Sequence, residues 1–290
     1  MNDGWVWVDT ILKMEEAKED ICNSSIICVD TEYDSFRYFR ELLCLIQIEA
    51  DAKTYLFDPF NKLDISFLGE VFANPETLKV MHAGDNDIRI LKRNYGFEFN
   101  NIFDTHRAAL ILGCHYLSLS SLICRYLGID FEKKKSMQRS QWESRPLTQE
   151  QLKYAAEDTA YLKELYRRLD EEICEKGLKT YAIKAFDSIA NVMWSEKFFN
   201  PRGYKNMKGY PSLTVRQKKC LKQLCSWRFQ KASATNKALF WILSDQNLLD
   251  LAKIETASID ILMNSGVLSP DQAIRYGREI LEILNNSKER

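Results

Sequence analysis

The stretch Ile26-Ile27-Cys28-Val29-Asp30-Thr31-Glu32 is an apolar run that ends in two carboxylates. Its composition predicts a buried strand, and the two-residue period of a strand places Asp30 and Glu32 on the same face. Two buried acids side by side repel each other, which favours a cation between them, most naturally a divalent metal. The alternative is that Glu32 already lies in the solvated turn 32–35, and from this stretch alone the turn is the slightly favoured interpretation.

Short apolar and aromatic runs on either side of this stretch predict further strands. Residues 42–49 and 54–58 are separated by a connection short enough for an antiparallel hairpin, so the sheet is expected to be mixed. Trp5–Val8 and Leu78–Met81 also have strand character. Helices dominate after about residue 93, and the chain is therefore expected to begin with an α/β domain.

A second candidate acid follows the strand that ends near His82. Asp87, with Asp85 as the less favoured alternative, lies at the start of a helix expected from about residue 85 to 93. A carboxylate in the first turn of a helix also stabilises the helix dipole without any catalytic role. This position alone therefore establishes no site.

A third group of candidates lies on a long helix that the capping box Thr148-Gln149-Glu150-Gln151 is expected to start. Tyr154 and Asp158 are four residues apart and project from one face of that helix. A helical tyrosine is usually a core residue, and an aspartate there is usually solvated. The small Ala155-Ala156 pair between them allows another element to approach closely, which mildly favours a site.

Composition excludes several classes of protein. The chain has 290 residues, 46% hydrophobic and 28% charged, enough apolar material for two ordinary cores. Its apolar runs are too short to span a bilayer, and its first residues do not resemble a signal peptide, so a cytoplasmic protein without membrane association is expected. The eight cysteines are scattered and the three histidines lack zinc-type spacing, which favours reduced thiols over disulfides or a zinc site.

Charge is distributed unevenly along the chain. Residues 1–200 carry 25 basic and 33 acidic side chains, a net charge of −8, whereas residues 201–290 carry 15 and 8, a net charge of +7. Between Arg202 and Ser244 there are ten basic residues and no acidic one. This asymmetry indicates two modules, one of which faces a polyanion. Pro201, Gly203, Gly209 and Pro211 mark a linker, so the expected domains are 1–200, a linker at 201–212, and 213–290.

Taken together, the candidate acids resemble the motifs of the DEDD exonuclease superfamily in its tyrosine-containing branch. Asp30 and Glu32 match Asp-x-Glu, His82 and Asp87 match His-x-x-x-x-Asp, and Tyr154 with Asp158 match Tyr-x-x-x-Asp. Asp104 matches an acidic strand end that this family usually carries, with a role in local positioning. Residues 135–147 resemble the segment before the third motif in ribonuclease D. The resemblance covers residues 1 to about 175.

The rest of the chain resembles a helicase-and-RNase-D C-terminal (HRDC) domain, in residues 213–217, 224–228, 242–245 and 276–281. Family members often have a proline two places after the residue matching Asn236, whereas this chain has Ala238. The resemblance implies an α/β fold with a ribonuclease H-like mixed sheet flanked by helices, followed by a small all-α HRDC domain that binds nucleic acid.

The resemblance also implies which residues act. Asp30, Glu32, Asp87 and Asp158 would bind two Mg²⁺ or Mn²⁺ ions, with Asp30 shared between them, and Tyr154 would orient the attacking water. Carboxylate oxygens suit these hard cations. Basic residues are expected to contact the substrate, some of them in a mobile segment before the third motif; they are Lys135, Arg139, Arg145, Arg216, Lys219 and Arg228.

The function implied is a metal-dependent 3′-5′ exoribonuclease that releases 5′-mononucleotides and matures tRNA precursors, and a monomer is expected. Two alternatives stay open. The first is a 3′-5′ DNA exonuclease, because no residue in the sequence decides which sugar is accepted. The second is a catalytically inactive RNA-binding scaffold, which the presence of all four acids and the tyrosine argues against.

Overall fold

The computed structural model describes residues 4–130, 136–254 and 258–287. The chain divides into two compact units. The first unit contains the chain up to Asp34 together with Leu42–Ser195, and the second contains Ser35–Glu41 together with the chain from Glu196 onward. A short segment from the N-terminal half therefore packs with the C-terminal unit.

A mixed sheet forms the centre of the first unit, which confirms the predicted fold class. Within the described residues its strand order is β1-β4-β3-β2-β5-β6. β2 pairs antiparallel with β3 and parallel with β5, and β3 and β4 form the predicted hairpin. The strands are β1 (Trp5–Val8), β2 (Ile26–Asp34), β3 (Leu42–Ala50), β4 (Lys53–Phe57), β5 (Leu78–Met81) and β6 (Ile102–Asp104).

Helices cover both faces of this sheet. Ile27 and Val29 of β2 pack into the cluster that contains α1, α2 and α3, whereas Cys28 packs on the opposite face with α4, α5, α7 and α8. The first-unit helices are α1 (Ile11–Asn23), α2 (Phe67–Ala73), α3 (Asp85–Tyr95), α4 (Thr105–Ile111), α5 (Leu119–Leu127), α6 (Gln149–Ala160), α7 (Leu162–Glu175) and α8 (Lys179–Ala190).

The capping box at Thr148 and Gln151 is present, but the single long helix predicted after it is wrong. The helix ends at Ala160, and a new helix begins at Leu162. α6 packs on β2, β3 and β4, whereas α7 packs on β2 and β5. Because a sheet twists from strand to strand, one straight helix cannot follow all of these strands, and the break at Tyr161 lets each half follow its own part.

The segment before α6 is packed in the part that the structure describes, not mobile as expected. Met137, Trp142 and Leu147 are buried in a cluster with Cys44 and Leu56 of the sheet. The indole of Trp142, only 1% exposed, donates a hydrogen bond to the Met137 carbonyl at 3.2 Å. Lys135 lies outside the described residues.

Arg145 anchors the end of this segment. Its guanidinium pairs with both carboxylate oxygens of Asp58, each at 2.7 Å, and donates to the carbonyls of Cys44, Trp142 and Ser144. The group also lies over the ring of Phe60, 4.8 Å from its centre. These contacts engage all five N–H donors of the arginine within the protein. The predicted RNA contact at Arg145 therefore competes with a structural role.

The second unit is helical. Its core includes Leu221, Leu224 and Trp227 of α9, together with Leu248 of α11 and Ile280 of α13. Ser269 caps the last helix, with Pro270 in its first turn, as predicted. The helices are α9 (Val215–Thr235), α10 (Leu239–Ile242), α11 (Asp245–Lys253), α12 (Ile259–Asn264) and α13 (Pro270–Asn286).

The residues interpreted as a linker, 201–212, differ from that expectation. They form two short 3-10 turns, and Tyr204, Met207 and Tyr210 pack against the core of the second unit. The rings of Tyr204 and Tyr210 meet edge to face, with centres 5.5 Å apart. Apolar side chains between the prolines and glycines explain why the segment is packed.

Ser35–Glu41, which connects β2 to β3, is held in the second unit by the loop after α9. The Phe39 and Arg40 N–H groups donate to the carbonyl and the side-chain oxygen of Asn236, at 3.3 and 2.7 Å. The N–H of Ala238 donates to the Arg37 carbonyl at 2.9 Å. A proline at position 238 would have no N–H to donate, so the departure from the family pattern provides this hydrogen bond.

Two expectations from composition concern the whole chain. The eight cysteines are free thiols, five of them buried. Among the residues described, no helix is long and apolar enough to cross a membrane.

Asn236→Ala is expected to destabilise the protein by about 2 kcal/mol. Asn236 has a left-handed φ of 50°, which costs alanine about 1 kcal/mol, and its side chain accepts a hydrogen bond worth about 1 kcal/mol. Asn236→Gly keeps the backbone freedom and loses only the side-chain acceptor, so it should cost less. Urea denaturation of both full-length variants measures the difference, and equal losses would show that the left-handed backbone is not what asparagine provides.

Arg145→Lys is expected to destabilise the first unit by about 2 kcal/mol, because an ammonium cannot reproduce the paired contact with Asp58 or fill the remaining acceptors. Arg139→Lys is the matched control, because Arg139 is an exposed arginine of the same segment. Thermal and urea unfolding compare the two variants. A loss of stability no larger than that of Arg139→Lys would contradict the anchoring role.

Candidate active site

β2 and α6 bring three of the predicted acids and the tyrosine together. Asp30 and Glu32 pair in register with Gln47 and Leu45 of β3, without a shift between them, so both project from the same face of β2. This is the Cys28 face, and α6 packs against the sheet with Tyr154 and Asp158 buried. Glu32 is only 9% exposed and lies within the strand, so the solvated-turn alternative is wrong.

The electrostatics of Tyr154 show that these groups converge. Burial raises the pKa of the Tyr154 hydroxyl above its ordinary value, and the charges of Asp158, Glu32 and Asp30 raise it further, in that order. A hydrogen bond with Gln138 acts in the opposite direction. The hydroxyl therefore lies within the field of three carboxylates, two of them on β2 and one on α6. It stays protonated at neutral pH.

Asp87 joins the group from α3, on the other side of β2. Its carboxylate is 6% exposed and accepts a hydrogen bond from the Thr31 hydroxyl. Burial, and then the charge of Asp30, raise the pKa of Asp87 well above the ordinary value for an aspartate. Asp85, the alternative considered from the sequence, is more exposed and pairs with Arg107 at 2.9 Å. The structure thus brings Asp87 to Asp30 and directs Asp85 elsewhere.

Asp104 fixes the start of α3, which agrees with the positioning role that the resemblance implied. It is fully buried, and one carboxylate oxygen accepts a hydrogen bond from the Gly84 N–H at 2.9 Å. Its other oxygen accepts from the Arg107 N–H at 2.8 Å. Since Gly84 directly precedes α3, Asp104 joins the end of β6 to the helix that carries Asp87.

Sequence reasoning missed three residues of this neighbourhood. Thr31 holds Asp87, and Trp142 lies beside Tyr154 with ring centres 6.0 Å apart. Tyr33 is the third, because burial and then the charge of Asp87 raise its pKa to about 12. The signal for Thr31 was present in the sequence, since the period of a strand places it opposite Asp30 and Glu32. Nothing in the sequence indicated the partner of Trp142.

The predicted substrate contacts fall into two groups. Arg139 and Lys219 are exposed, and Arg216 is partly buried with a hydrogen bond to the Ile254 carbonyl at 3.4 Å. Arg228 is buried in the second unit, where it pairs with Asp245 and donates to the Leu243 carbonyl, both at 2.8 Å. This placement argues against a phosphate contact at Arg228, because the arginine is buried and its charge is already paired with that of Asp245.

The donor chemistry of the site fits divalent cations. Four carboxylates from β2, α3 and α6 offer only hard oxygen ligands, the type that Mg²⁺ and Mn²⁺ prefer. Asp30 raises the pKa of Asp87, and Asp30, Glu32 and Asp158 raise that of Tyr154, so this place favours added positive charge. In the described ranges no three His, Cys, Asp or Glu side chains are already closed around one ion position. The fit therefore rests on donor type and mutual electrostatics.

Comparison with protein families identifies two domains. Residues 5–174 match the 3′-5′ exonuclease family, and residues 217–284 match the HRDC domain. The first match covers more than half of the chain and contains all five candidate site residues. The exonuclease family to which the DEDD motifs belong is divalent-metal dependent.

Two individual proteins are similar to most of this chain. An exosome complex component 10 homolog of Drosophila melanogaster is 30% identical over 253 residues, which are 85% of this chain and 28% of that protein. This chain therefore spans little more than a quarter of that relative. Ribonuclease D of Desulfotalea psychrophila is 29% identical over 280 residues, 94% of this chain and 74% of that protein.

A solved structure shows the same fold. The catalytic core of RRP6 from Trypanosoma brucei superimposes with a TM-score of 0.89 and 22% identity, over 98% of this chain and 79% of that one. The predicted α/β fold followed by a helical HRDC domain is thereby confirmed. Because residues 5–174 match the exonuclease model and residues 217–284 the HRDC model, this chain belongs to the DEDD 3′-5′ exonuclease family that includes ribonuclease D.

Proposed function

We propose that this chain is a metal-dependent 3′-5′ exoribonuclease that removes 5′-mononucleotides from the 3′ ends of RNA. The observation that carries the proposal is the convergence of Asp30, Glu32 and Asp158 on the buried hydroxyl of Tyr154. A field of three carboxylates without a cation is unfavourable in a protein interior. Relatives named ribonuclease D and exosome component 10 support RNA as the substrate.

The proposed site would hold two Mg²⁺ or Mn²⁺ ions, one by Asp30, Glu32 and Asp158 and the other by Asp30 and Asp87. Bound there, the ions would supply an activated water and neutralise charge on the attacking and leaving oxygens. Tyr154, protonated at neutral pH, would orient that water through its hydroxyl. Thr31 keeps Asp87 in place with a hydrogen bond to one of its carboxylate oxygens.

The substrate we propose is RNA with an unpaired 3′ end, such as a tRNA precursor, acted on by a monomer. Exposed basic side chains in both units support binding of a polyanion. They include Arg139 in the first unit and Lys219 in the second. Lys135 and Arg216 remain proposed contacts. Arg145 and Arg228 act mainly within the fold.

Hydrolysis of a 3′-labelled RNA and of a DNA of the same sequence, each with and without Mg²⁺ or Mn²⁺, tests the proposal. We expect labelled 5′-mononucleotides from RNA only when metal is present. Faster degradation of DNA would favour the DNA exonuclease. Binding of RNA without degradation of either strand would favour the inactive scaffold.

Asp158→Asn is expected to reduce RNA hydrolysis at least about a thousand-fold, because an amide cannot replace a carboxylate ligand that offsets metal charge. Glu157→Gln is the matched control, since Glu157 directly precedes Asp158 in α6, is about 40% exposed and pairs with Lys153. Single-turnover rates at saturating Mg²⁺ compare the variants, with circular dichroism as the check on folding. Similar rates for the two variants would remove Asp158 from the site.

Tyr154→Phe is expected to slow the chemical step about ten- to hundred-fold while leaving RNA affinity unchanged. The ring would still pack beside Trp142, and only the hydroxyl that orients water would be lost. Single-turnover rates and binding affinity are measured separately. A weaker affinity with an unchanged rate would assign Tyr154 to substrate binding and contradict the role proposed for its hydroxyl.

A further inference from the structure

Gln47 is a polar side chain in the buried centre of β3. It is fully buried, and among the residues that the structure describes neither its amide nitrogen nor its amide oxygen has a hydrogen-bond partner. Burying an amide without a hydrogen bond is unfavourable, and folded proteins rarely leave such a group unmatched. An apolar side chain of similar size would avoid this cost. Packing alone therefore does not explain a glutamine at this position.

The register of the sheet places Gln47 directly beside Asp30. Its paired residues on the two neighbouring strands are Asp30 of β2 and Leu56 of β4. Paired residues project from the same face of a sheet, with side-chain carbons about 5 Å apart, a gap that a glutamine side chain can span. The polar one of these two neighbours is Asp30, the carboxylate that the proposed site shares between two metal ions.

The helix α6 covers this face of the sheet. It packs on β2, β3 and β4, and Ala155 lies with Leu56 in one buried cluster. Because Gln47 has no exposed surface, RNA cannot touch it. Any effect of Gln47 on hydrolysis must therefore pass through another residue of the protein, which makes it a positioning residue and not a substrate contact.

Two other buried polar side chains on this face are engaged at the hairpin end of the sheet. Glu49, two residues along β3 from Gln47, accepts a hydrogen bond from the Ala52 N–H at 2.8 Å. The hydroxyl of Thr54 lies 3.3 Å from that of Thr159 in α6. Since the contact with Ala52 directs Glu49 toward the hairpin turn, Asp30 is the carboxylate better placed to accept from Gln47.

We propose that Gln47 positions Asp30, by donating a hydrogen bond from its amide N–H to the Asp30 carboxylate when Asp30 binds the metal ions. A carboxylate can accept about four hydrogen bonds or ligand contacts, so this one adds to any others that Asp30 makes. Hydrogen bonds of this kind fix the orientation of a metal ligand, and their loss typically lowers metal affinity about 10- to 100-fold. The proposal rests on the proposed function, because it concerns a ligand of the proposed metal site.

This role predicts opposite effects on stability and on metal binding when the amide is removed. In metal-free protein a buried amide without a hydrogen bond lowers stability, so its replacement by an apolar group of the same shape should be neutral or stabilising. In metal-loaded protein the same replacement removes a hydrogen bond that orients Asp30. An amide that served only the fold would show the reverse, with a loss of stability and no change in metal affinity.

Gln47→Met in the full-length protein tests the role, because methionine has a similar length and lacks both polar atoms of the amide. Isothermal titration calorimetry measures the affinity for Mn²⁺, and thermal unfolding in EDTA measures stability without metal. We expect the Mn²⁺ affinity to fall about ten-fold or more, while the unfolding midpoint stays equal to that of wild-type protein or rises. Gln47→Leu removes the same two atoms with a different shape and should show the same loss of affinity.

Hydrolysis measurements separate positioning of the metal from binding of RNA. The Mg²⁺ concentration that gives the half-maximal rate should rise in Gln47→Met by about the same factor as the Mn²⁺ affinity falls. The KM for RNA at saturating Mg²⁺ should stay unchanged, because the buried side chain cannot contact the substrate.

Thr54→Val is the matched control. Thr54 is buried on the same face, and valine removes its hydroxyl with little change of size or charge. Because this hydroxyl lies within reach of Thr159, we expect a lower unfolding midpoint in EDTA. The Mn²⁺ affinity should stay within about two-fold of wild-type protein, because Thr54 is not a neighbour of a proposed ligand.

Two results would overturn the role of Gln47. They are a Mn²⁺ affinity of both Gln47 variants within about two-fold of wild-type protein, and a loss of metal-free stability in both variants as large as that of Thr54→Val. Wild-type protein that binds Mn²⁺ and degrades RNA, with Gln47→Met binding Mn²⁺ equally well, would overturn this role alone. Wild-type protein that neither binds Mn²⁺ nor degrades RNA would overturn the proposed function, and the role of Gln47 with it.

Discussion

The repulsion among four carboxylates, placed close together by an apolar sheet, is the constraint on which the rest of the structure depends. Asp30 raises the pKa of Asp87, and Asp158 and Glu32 act with Asp30 on Tyr154, so the electrostatic cost is visible in the residues themselves. Apolar packing of the rest of the strand offsets this electrostatic cost. The first residues of β2 are buried on both faces, and they hold the strand in a position that its acids alone would not favour.

Neutral and charged contacts outside the group of acids then determine where each acid lies. Thr31 holds Asp87 from the opposite face of β2, and Asp104 fixes the helix that carries Asp87 through the Gly84 N–H. Arg145 ties the segment before α6 to Asp58 and Cys44, which stabilises the approach to the helix of Tyr154 and Asp158. Each contact lies on a different element, so the site depends on the whole first unit rather than on one loop.

Much of this arrangement could be predicted from local sequence patterns. Strand alternation placed Asp30 and Glu32 on one face, and the capping box at Thr148 gave the start of α6. Long-range contacts could not be predicted, because no local pattern encodes the partner of Arg145 or the burial of Arg228. Their charge, and for Arg145 the resemblance to ribonuclease D, suggested that both arginines bind phosphate, whereas each of them pairs with an aspartate of the protein, Asp58 or Asp245. A basic residue can contact the substrate only if its N–H donors are not already hydrogen-bonded to carboxylates or carbonyls of the protein.

The domain boundary is a second case in which local composition does not show a long-range contact. Composition placed the boundary at 201–212, but Phe39, from the connection between β2 and β3, is 3% exposed in the core of the second unit, where its ring meets that of Phe229. Removing the C-terminal unit would therefore expose Phe39 and release the segment that follows β2. Loss of activity in such a truncated protein could come from the disturbed end of β2 as readily as from lost RNA binding. Point variants in the full chain separate these causes, because they leave Phe39 and Asn236 in place.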